Sequence, residues 1–187
     1  PTGAGQPKAF PKDSIDRSSS TFGAFLPDGK RIVFNANEAG KPPRVFVQGL
    51  DASAARPVTP EGVIGRLVSP DGKSLLTETP GQGFGLAPVD GGGPSTPIRG
   101  LEPADQPLRW AADGRSLFFG SSKDFFPARV YRLDLATGRR ELWKEFMPAD
   151  PTGITNVSPA DISTDGKTIL FFYGHTLSDL YITEGLR

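Results

Sequence analysis

Ser69-Pro70-Asp71-Gly72-Lys73 recurs three more times in this chain, as Leu26-Pro27-Asp28-Gly29-Lys30, Ala111-Ala112-Asp113-Gly114-Arg115 and Ser163-Thr164-Asp165-Gly166-Lys167. An apolar run follows each copy: Leu75-Leu76, Ile32-Val33-Phe34, Leu117-Phe118-Phe119 and Ile169-Leu170-Phe171-Phe172. Aspartate can hydrogen-bond the backbone ahead of it, glycine supplies the φ > 0 conformation that closes a tight hairpin, and proline presets φ where it is present. Two copies replace the proline, with Ala112 and Thr164, yet all four keep Asp-Gly. The glycine is therefore the more critical residue, since a side chain at φ > 0 is strained. The aspartates recur at intervals of 43, 42 and 52 residues, a period that among repeat architectures belongs to four-stranded propeller blades.

Outward from the turns, residues 21–25 enter the first hairpin and residues 31–34 leave it. The apolar residues after each turn run consecutively instead of alternating, which marks strands buried on both faces. A blade sandwiched between two neighbours has such strands. Third strands read as residues 44–48, 84–89, 129–135 and 178–183, and outer strands as residues 56–59, 95–98 and 140–146. The expected fold is all-β, a propeller segment of about four four-stranded blades within a larger ring of about six to eight. Blade 1 covers residues 21–59, blade 2 residues 63–98, blade 3 residues 107–146 and blade 4 residues 157–187, the last without an outer strand. Residues 7–16 have the place of an outer strand from a preceding blade, or of a strand that closes a ring. Residues 51–55 and 141–147 have room for a turn of helix. Residues 147–156, with Pro148, Pro151 and Gly153, read as a longer surface loop.

Composition narrows the function classes. The 187 residues balance 21 basic against 21 acidic side chains, and no like-charged block forms a nucleic-acid or membrane footprint. The absence of cysteine removes disulfides, thiolate metal sites and a cysteine nucleophile. No run approaches the ~20 apolar residues of a membrane span, so no direct membrane insertion by this segment is expected. Gly and Pro, 23 and 19 in number, punctuate short strands at turns. The opening at Pro1, without Met or a leader pattern, reads as a piece of a longer polypeptide.

Few residues suggest chemistry. His175 is the sole histidine, and Ser178-Asp179 lie near it, but no Gly-x-Ser-x-Gly elbow holds a nucleophile anywhere. Asp161 to Gly166 imitates the opening of a calcium loop, yet Phe172 stands where a bidentate carboxylate is required. Gly81-Gln82-Gly83-Phe84-Gly85 and Gly91-Gly92-Gly93 lack the following helix of a phosphate cradle and read as strand connections. Asn156-Val157-Ser158 fits a glycosylation triplet that chance supplies often. Trp110 and Trp143 read as core. Phe125 and Phe126 differ: adjacent apolar residues in the connection over 121–128, on the end opposite the Asp-Gly turns, form a candidate contact patch. His175 shares that end. The candidate contact surface is therefore Phe125, Phe126 and His175, with no catalytic, cofactor-binding or metal-ligating residue assigned and no cofactor expected.

The Ser-Pro-Asp-Gly-Lys phrase resembles the repeats of the WD-like propeller family that includes the bacterial envelope protein TolB. The ending, Leu177-Ser178-Asp179-Leu180-Tyr181-Ile182-Thr183-Glu184-Gly185-Leu186-Arg187, resembles the carboxyl terminus of bacterial eukaryotic-type serine/threonine kinases that carry a propeller after the kinase domain. Pro107-Leu108-Arg109-Trp110 and Val130-Tyr131-Arg132-Leu133-Asp134-Leu135-Ala136-Thr137-Gly138 share that resemblance. It implies that Arg187 is a native end, that the propeller lies beyond a membrane anchor, in the periplasm or outside the cell, and that it serves as a sensor. None of the kinase signatures occurs here, so this segment is expected to be no enzyme. The expected function is a noncatalytic sensor or protein-interaction module that takes a protein or small ligand at the propeller face or channel and no nucleic acid. The alternatives are a TolB-like envelope scaffold and the gating propeller of a prolyl-oligopeptidase-type hydrolase.

Overall fold

Strands are the only regular elements among the residues that the computed structural model describes, which are 13–18, 20–163, 165–178 and 182, with the backbone alone of Phe125. They fall into two units, residues 1–103 and 104–187. In the first unit, β1 (Ile15–Asp16), β2 (Gly23–Phe25), β3 (Arg31–Glu38), β4 (Arg44–Gly49) and β5 (Arg56–Pro57) form one antiparallel sheet. A second sheet runs in the order β6 (Ile64–Val68), β7 (Ser74–Thr79), β8 (Gly83–Pro88), β9 (Thr96–Pro97). The second unit repeats the plan with β10 (Asp105–Trp110), β11 (Ser116–Phe125), β12 (Ala128–Asp134) and β13 (Arg140–Phe146), followed by the hairpin of β14 (Ile154–Ile162) and β15 (Ile169–His175). The chain is an all-β propeller segment, as expected from the repeat.

All four Asp-Gly turns are built alike. The glycine amides of Gly29, Gly72, Gly114 and Gly166 donate to the carbonyl three residues back at 2.9–3.0 Å, and their φ values lie between 65° and 70°. The aspartate carboxylates accept from the amides of Lys30, Lys73, Arg115 and Lys167. At the second and fourth turns the hydroxyls of Ser69 and Ser163 also donate to the carboxylate, both at 2.6 Å. The hydroxyl and then the following lysine amide hold the Asp71 and Asp165 carboxyls below the usual carboxylate range.

Sheets stack through the strands that leave the turns. Val33, Val45 and Val47 of the first sheet share a core with Leu75 and Val89 of the second. Across the same interface, the buried Asn35 amide donates to the Gly65 carbonyl at 3.1 Å and accepts from the Gly65 amide at 2.7 Å. In the second unit Phe118 and Val130 pack with Ile162 and Ile169, and the Phe146 and Phe171 rings lie 5.0 Å apart. Arg109 grips Asp161 with two bonds of 3.0 and 2.7 Å. Within each unit these contacts align neighbouring sheets so that their Asp-Gly turns lie at one end. The connections from third to outer strand share that end, as the bonds from Leu50 to Lys30, Val89 to Lys73 and Leu135 to Arg115 show, and the connections from second to third strand lie at the other.

Three expectations change. Ile15 and Asp16, read as part of an outer strand from a preceding blade or a ring-closing strand, pair instead with Glu38 and Asn37 on the edge of β3 that also carries β2. The reason is burial: Ile15 packs against Phe34, Ala36 and Phe46, and the Arg17 guanidinium lies 5.1 Å over the Phe34 ring while bonded to Asp13 and Gln48. Residues 7–12 lie outside the described residues. Residues 140–146, read as an outer strand, form β13, and the turn of helix for which residues 141–147 had room gives way to it, because pairing with β12 places the Trp143 ring 5.0 Å from Phe118. Residues 154–156, read as loop, open β14, where Ile154 pairs with His175. Of blade 4's expected third strand, residues 179–181 and 183 lie outside the described residues.

Candidate functional site

Of the second unit's exposed apolar side chains, Phe126, Met147 and Leu177 stand at the end opposite the Asp-Gly turns, while Leu142, Leu170, Phe172 and Tyr173 lie along β13 and β15. β11 runs on to Phe125, which pairs with Ala128, so the expected loop over 121–128 is the tip of a long hairpin closed by Phe126 and Pro127, whose peptide is cis. Below this tip, the Asp124 carboxylate accepts from the Tyr131 hydroxyl at 2.9 Å and from Arg129 at 3.3 Å. Arg129 also donates to Glu145 at 2.9 Å, and Ser122 donates its amide and hydroxyl to the Ala104 carbonyl. Burial first, and then the Asp124 carboxylate, push the Tyr131 hydroxyl above its ordinary pKa. Phe126 is thus presented half exposed on a braced support.

The neighbouring connection, residues 147–153, begins with exposed Met147 directly after Phe146, the partner of Ala128 across the ladder. It returns through Gly153, whose φ is 71° and whose carbonyl accepts from the Thr176 amide at 2.8 Å. The His175 ring lies against Gly153; a Cβ there would stand 3.0 Å from its Cδ2 and Nε2 atoms. The amide and hydroxyl of Thr152 hold the Asp150 carboxyl low, with a lesser electrostatic pull from His175. Leu177 follows, exposed. The surface so assembled is Phe126, Met147, His175 and Leu177.

Sequence reasoning placed Phe126 and His175 at this end; the side chain of Phe125 lies outside the described residues. Met147 and Leu177 were missed. The available signal was a single large apolar residue in each of two otherwise polar segments, Met147 before Pro148-Ala149-Asp150 and Leu177 between Thr176 and Ser178. Ser178 is exposed, and Asp179 lies outside the described residues. Asp161 of the calcium-like stretch is committed to Arg109, while Trp110 is buried at the end of β10. Among the described residues no group of three or more His, Asp or Glu is placed to hold a metal ion.

The first unit offers a different kind of site. A cavity of about 660 Å³ opens beside the first Asp-Gly turn, floored by Val47 and Leu50 and rimmed by Lys30, Arg31, Asp51 and Arg56. Its counterpart in blade 3 measures about 380 Å³. There Arg132 holds the place of Val47 and reaches Asp113 at 2.7 Å, which partly fills the notch.

No protein-family model matches the chain, and no curated protein matches it. Solved structures do. A putative TolB from Agrobacterium tumefaciens superposes with a TM-score of 0.55 at 20% identity, covering 81% of this chain and 53% of that one. TolB from Acinetobacter baumannii gives 0.52 at 21% identity, covering 80% and 42%. An oligogalacturonate lyase in complex with manganese gives 0.50 at 17% identity, covering 84% and 53%. The chain therefore spans about half the length of these proteins. At such identities the likeness concerns fold alone, and the fold it shows is that of a TolB-like β-propeller.

Proposed function

We propose that this chain is a noncatalytic protein-interaction scaffold of the TolB-like propeller kind, making contact through the second unit's end opposite its Asp-Gly turns. One observation carries the reading: Phe126, Met147 and Leu177 stand exposed on three connections of that end. The hydrogen bonds of Asp124, Ser122 and Thr176 hold those connections. Apolar groups that are held in place before binding lose little conformational freedom when a partner covers them. The likeness to two TolB structures supports a scaffold; a place behind a kinase domain rests on the sequence resemblance alone.

The test is quantitative capture from bacterial envelope extract by the immobilised chain and by a Phe126→Ala/Met147→Ala variant. The variant keeps the wild-type circular dichroism and melting curve and loses captured protein by at least about tenfold, the effect of ~1.4 kcal/mol at an interface anchor. Equal capture by both proteins contradicts the proposal.

A further inference from the structure

The cavity beside the first Asp-Gly turn differs from the corresponding places in the other blades at each position that shapes it. Cross-strand pairing gives every blade an equivalent floor position: Val47 opposite Val33, Leu86 opposite Leu76 and Arg132 opposite Phe118. The outer strand then sets Arg56 against Val47, Thr96 against Leu86 and Glu141 against Arg132. Three residues after the aspartate of each turn, blade 1 has Arg31 where the other copies have Ser74, Ser116 and Thr168.

Blade 3 matches its own charges. Its floor cation, Arg132, reaches Asp113 at 2.7 Å, and Arg139 meets Glu141 at 2.6 Å. Blade 1 reverses the arrangement: the floor is apolar, Val47 with Leu50, and the cations Lys30, Arg31 and Arg56 stand on the rim. Val47 is held in place by the core that it shares with Leu75 and Val89 of the next sheet.

The rim cations are not all neutralised. Arg31 lies between two carboxylates, Asp28 at 2.7 Å and Asp90 at 2.6 Å. Arg56 donates instead to the Asp90 carbonyl at 2.7 Å, while the carboxylate of that residue, 3.9 Å away, is beyond hydrogen-bond distance. The Lys30 ammonium makes no hydrogen bond or ion pair among the described residues. Lys30 and Arg56 therefore keep charged donors for an incoming anion. The wall beside them is braced: the Gln48 amide donates to the Ser53 carbonyl at 2.9 Å, and the Ser53 amide donates to the Asp51 carboxylate at 3.0 Å. Both Asp51 and Ser53 close so tightly over Gly49 that a Cβ has no room there. Between them Ala52 holds a φ of 68°, and among the described residues it is the non-glycine residue with positive φ. Such backbone persists where its surroundings over-determine it, as they do around ligand sites.

We infer that this cavity binds a small carboxylic acid with an apolar body, its carboxylate on Lys30 and Arg56 and its body over Val47, Leu50 and Ala54. At about 660 Å³ the cavity has the volume of a small-molecule pocket, and an apolar floor with a few convergent polar groups is the usual make-up of one. Guanidinium and ammonium groups form charge-assisted hydrogen bonds with a carboxylate. A cation of the same shape meets them as like charges. The site lies in the first unit and uses neither Phe126 nor Met147, so it stands or falls apart from the protein-contact surface.

The experiment is a nuclear magnetic resonance titration of the full chain with naphthylacetate and with naphthylethylammonium, which carry the same ring and opposite charge. Naphthylacetate shifts the amides of Leu50, Ser53 and Ala54 along a saturable curve and binds at least about tenfold more tightly than the cation. The double substitution Lys30→Gln/Arg56→Gln changes two exposed side chains, keeps the wild-type melting curve and weakens naphthylacetate at least about tenfold. Ala54→Trp, also at an exposed position, fills the cavity and abolishes the saturable shifts. The inference is overturned if no saturable shift occurs up to about 10 mM naphthylacetate, if the two probes bind equally, or if either variant binds naphthylacetate as the wild type does.

Discussion

Glycine in the four Asp-Gly turns is required by backbone geometry, and at one turn by packing as well. Nothing lies within 4 Å of a Cβ built on Gly29, whose φ is 65°, so Gly29→Ala carries only the left-handed backbone cost of ~1–2 kcal/mol. Gly72 has a φ of 70°, and a Cβ there would stand 2.7 Å from the Pro27 ring. Gly72→Ala therefore destabilises more than Gly29→Ala, by about 1 kcal/mol or more in addition, in urea unfolding read by tryptophan fluorescence. Equal losses would contradict the packing of one turn on the next. The turns were legible in the sequence because their chemistry is local: aspartate, glycine and the amides they bond lie within four residues. The contact of Pro27 with Gly72 was not, since 45 residues separate them.

At the scale of elements, consecutive apolar residues marked β3, β7 and β11 as covered on both faces, whereas β15, read in the same way, leaves Leu170 and Phe172 exposed. Leu75, Leu76, Leu117 and Phe119 are buried without alternation. The same reading gave no account of the polar Asn35, which is among the most buried side chains of β3 because both its amide groups are matched by Gly65. Asn35→Leu leaves an amide and a carbonyl of Gly65 without partners inside a sheet interface, at about 1–3 kcal/mol for each unsatisfied group. The expected loss in urea unfolding is about 2–4 kcal/mol, and a loss below 1 kcal/mol would show that the clamp carries no weight. β1 was misread because it is placed by an aromatic side chain distant in sequence, Phe34 under Arg17, and local propensity does not register such a contact.

For the molecule as a whole, the period of the Asp-Gly phrase was sufficient to foresee an all-β propeller segment built of repeated antiparallel sheets. It could not say which residues face a neighbouring sheet, because that depends on pairing register and on bulges such as those at Gly65 and Pro159. The candidate surface was half legible for the same reason. Phe126 in a hairpin tip and His175 at the end of β15 have places that follow from strand order, whereas the exposure of Met147 and Leu177 depends on how residues 147–153 fold back on Thr176. All of this depends on sheets stacking face to face through their turn-leaving strands. The Gly65 amide reports that stacking most directly, because its acceptor is the Asn35 side chain of the adjacent sheet at 2.7 Å. Amide hydrogen exchange should find Gly65 strongly protected in the wild type and unprotected in Asn35→Leu while the β7 amides stay protected. A Gly65 amide that exchanges freely in the folded wild type, or as slowly in the variant, would contradict the stacked arrangement.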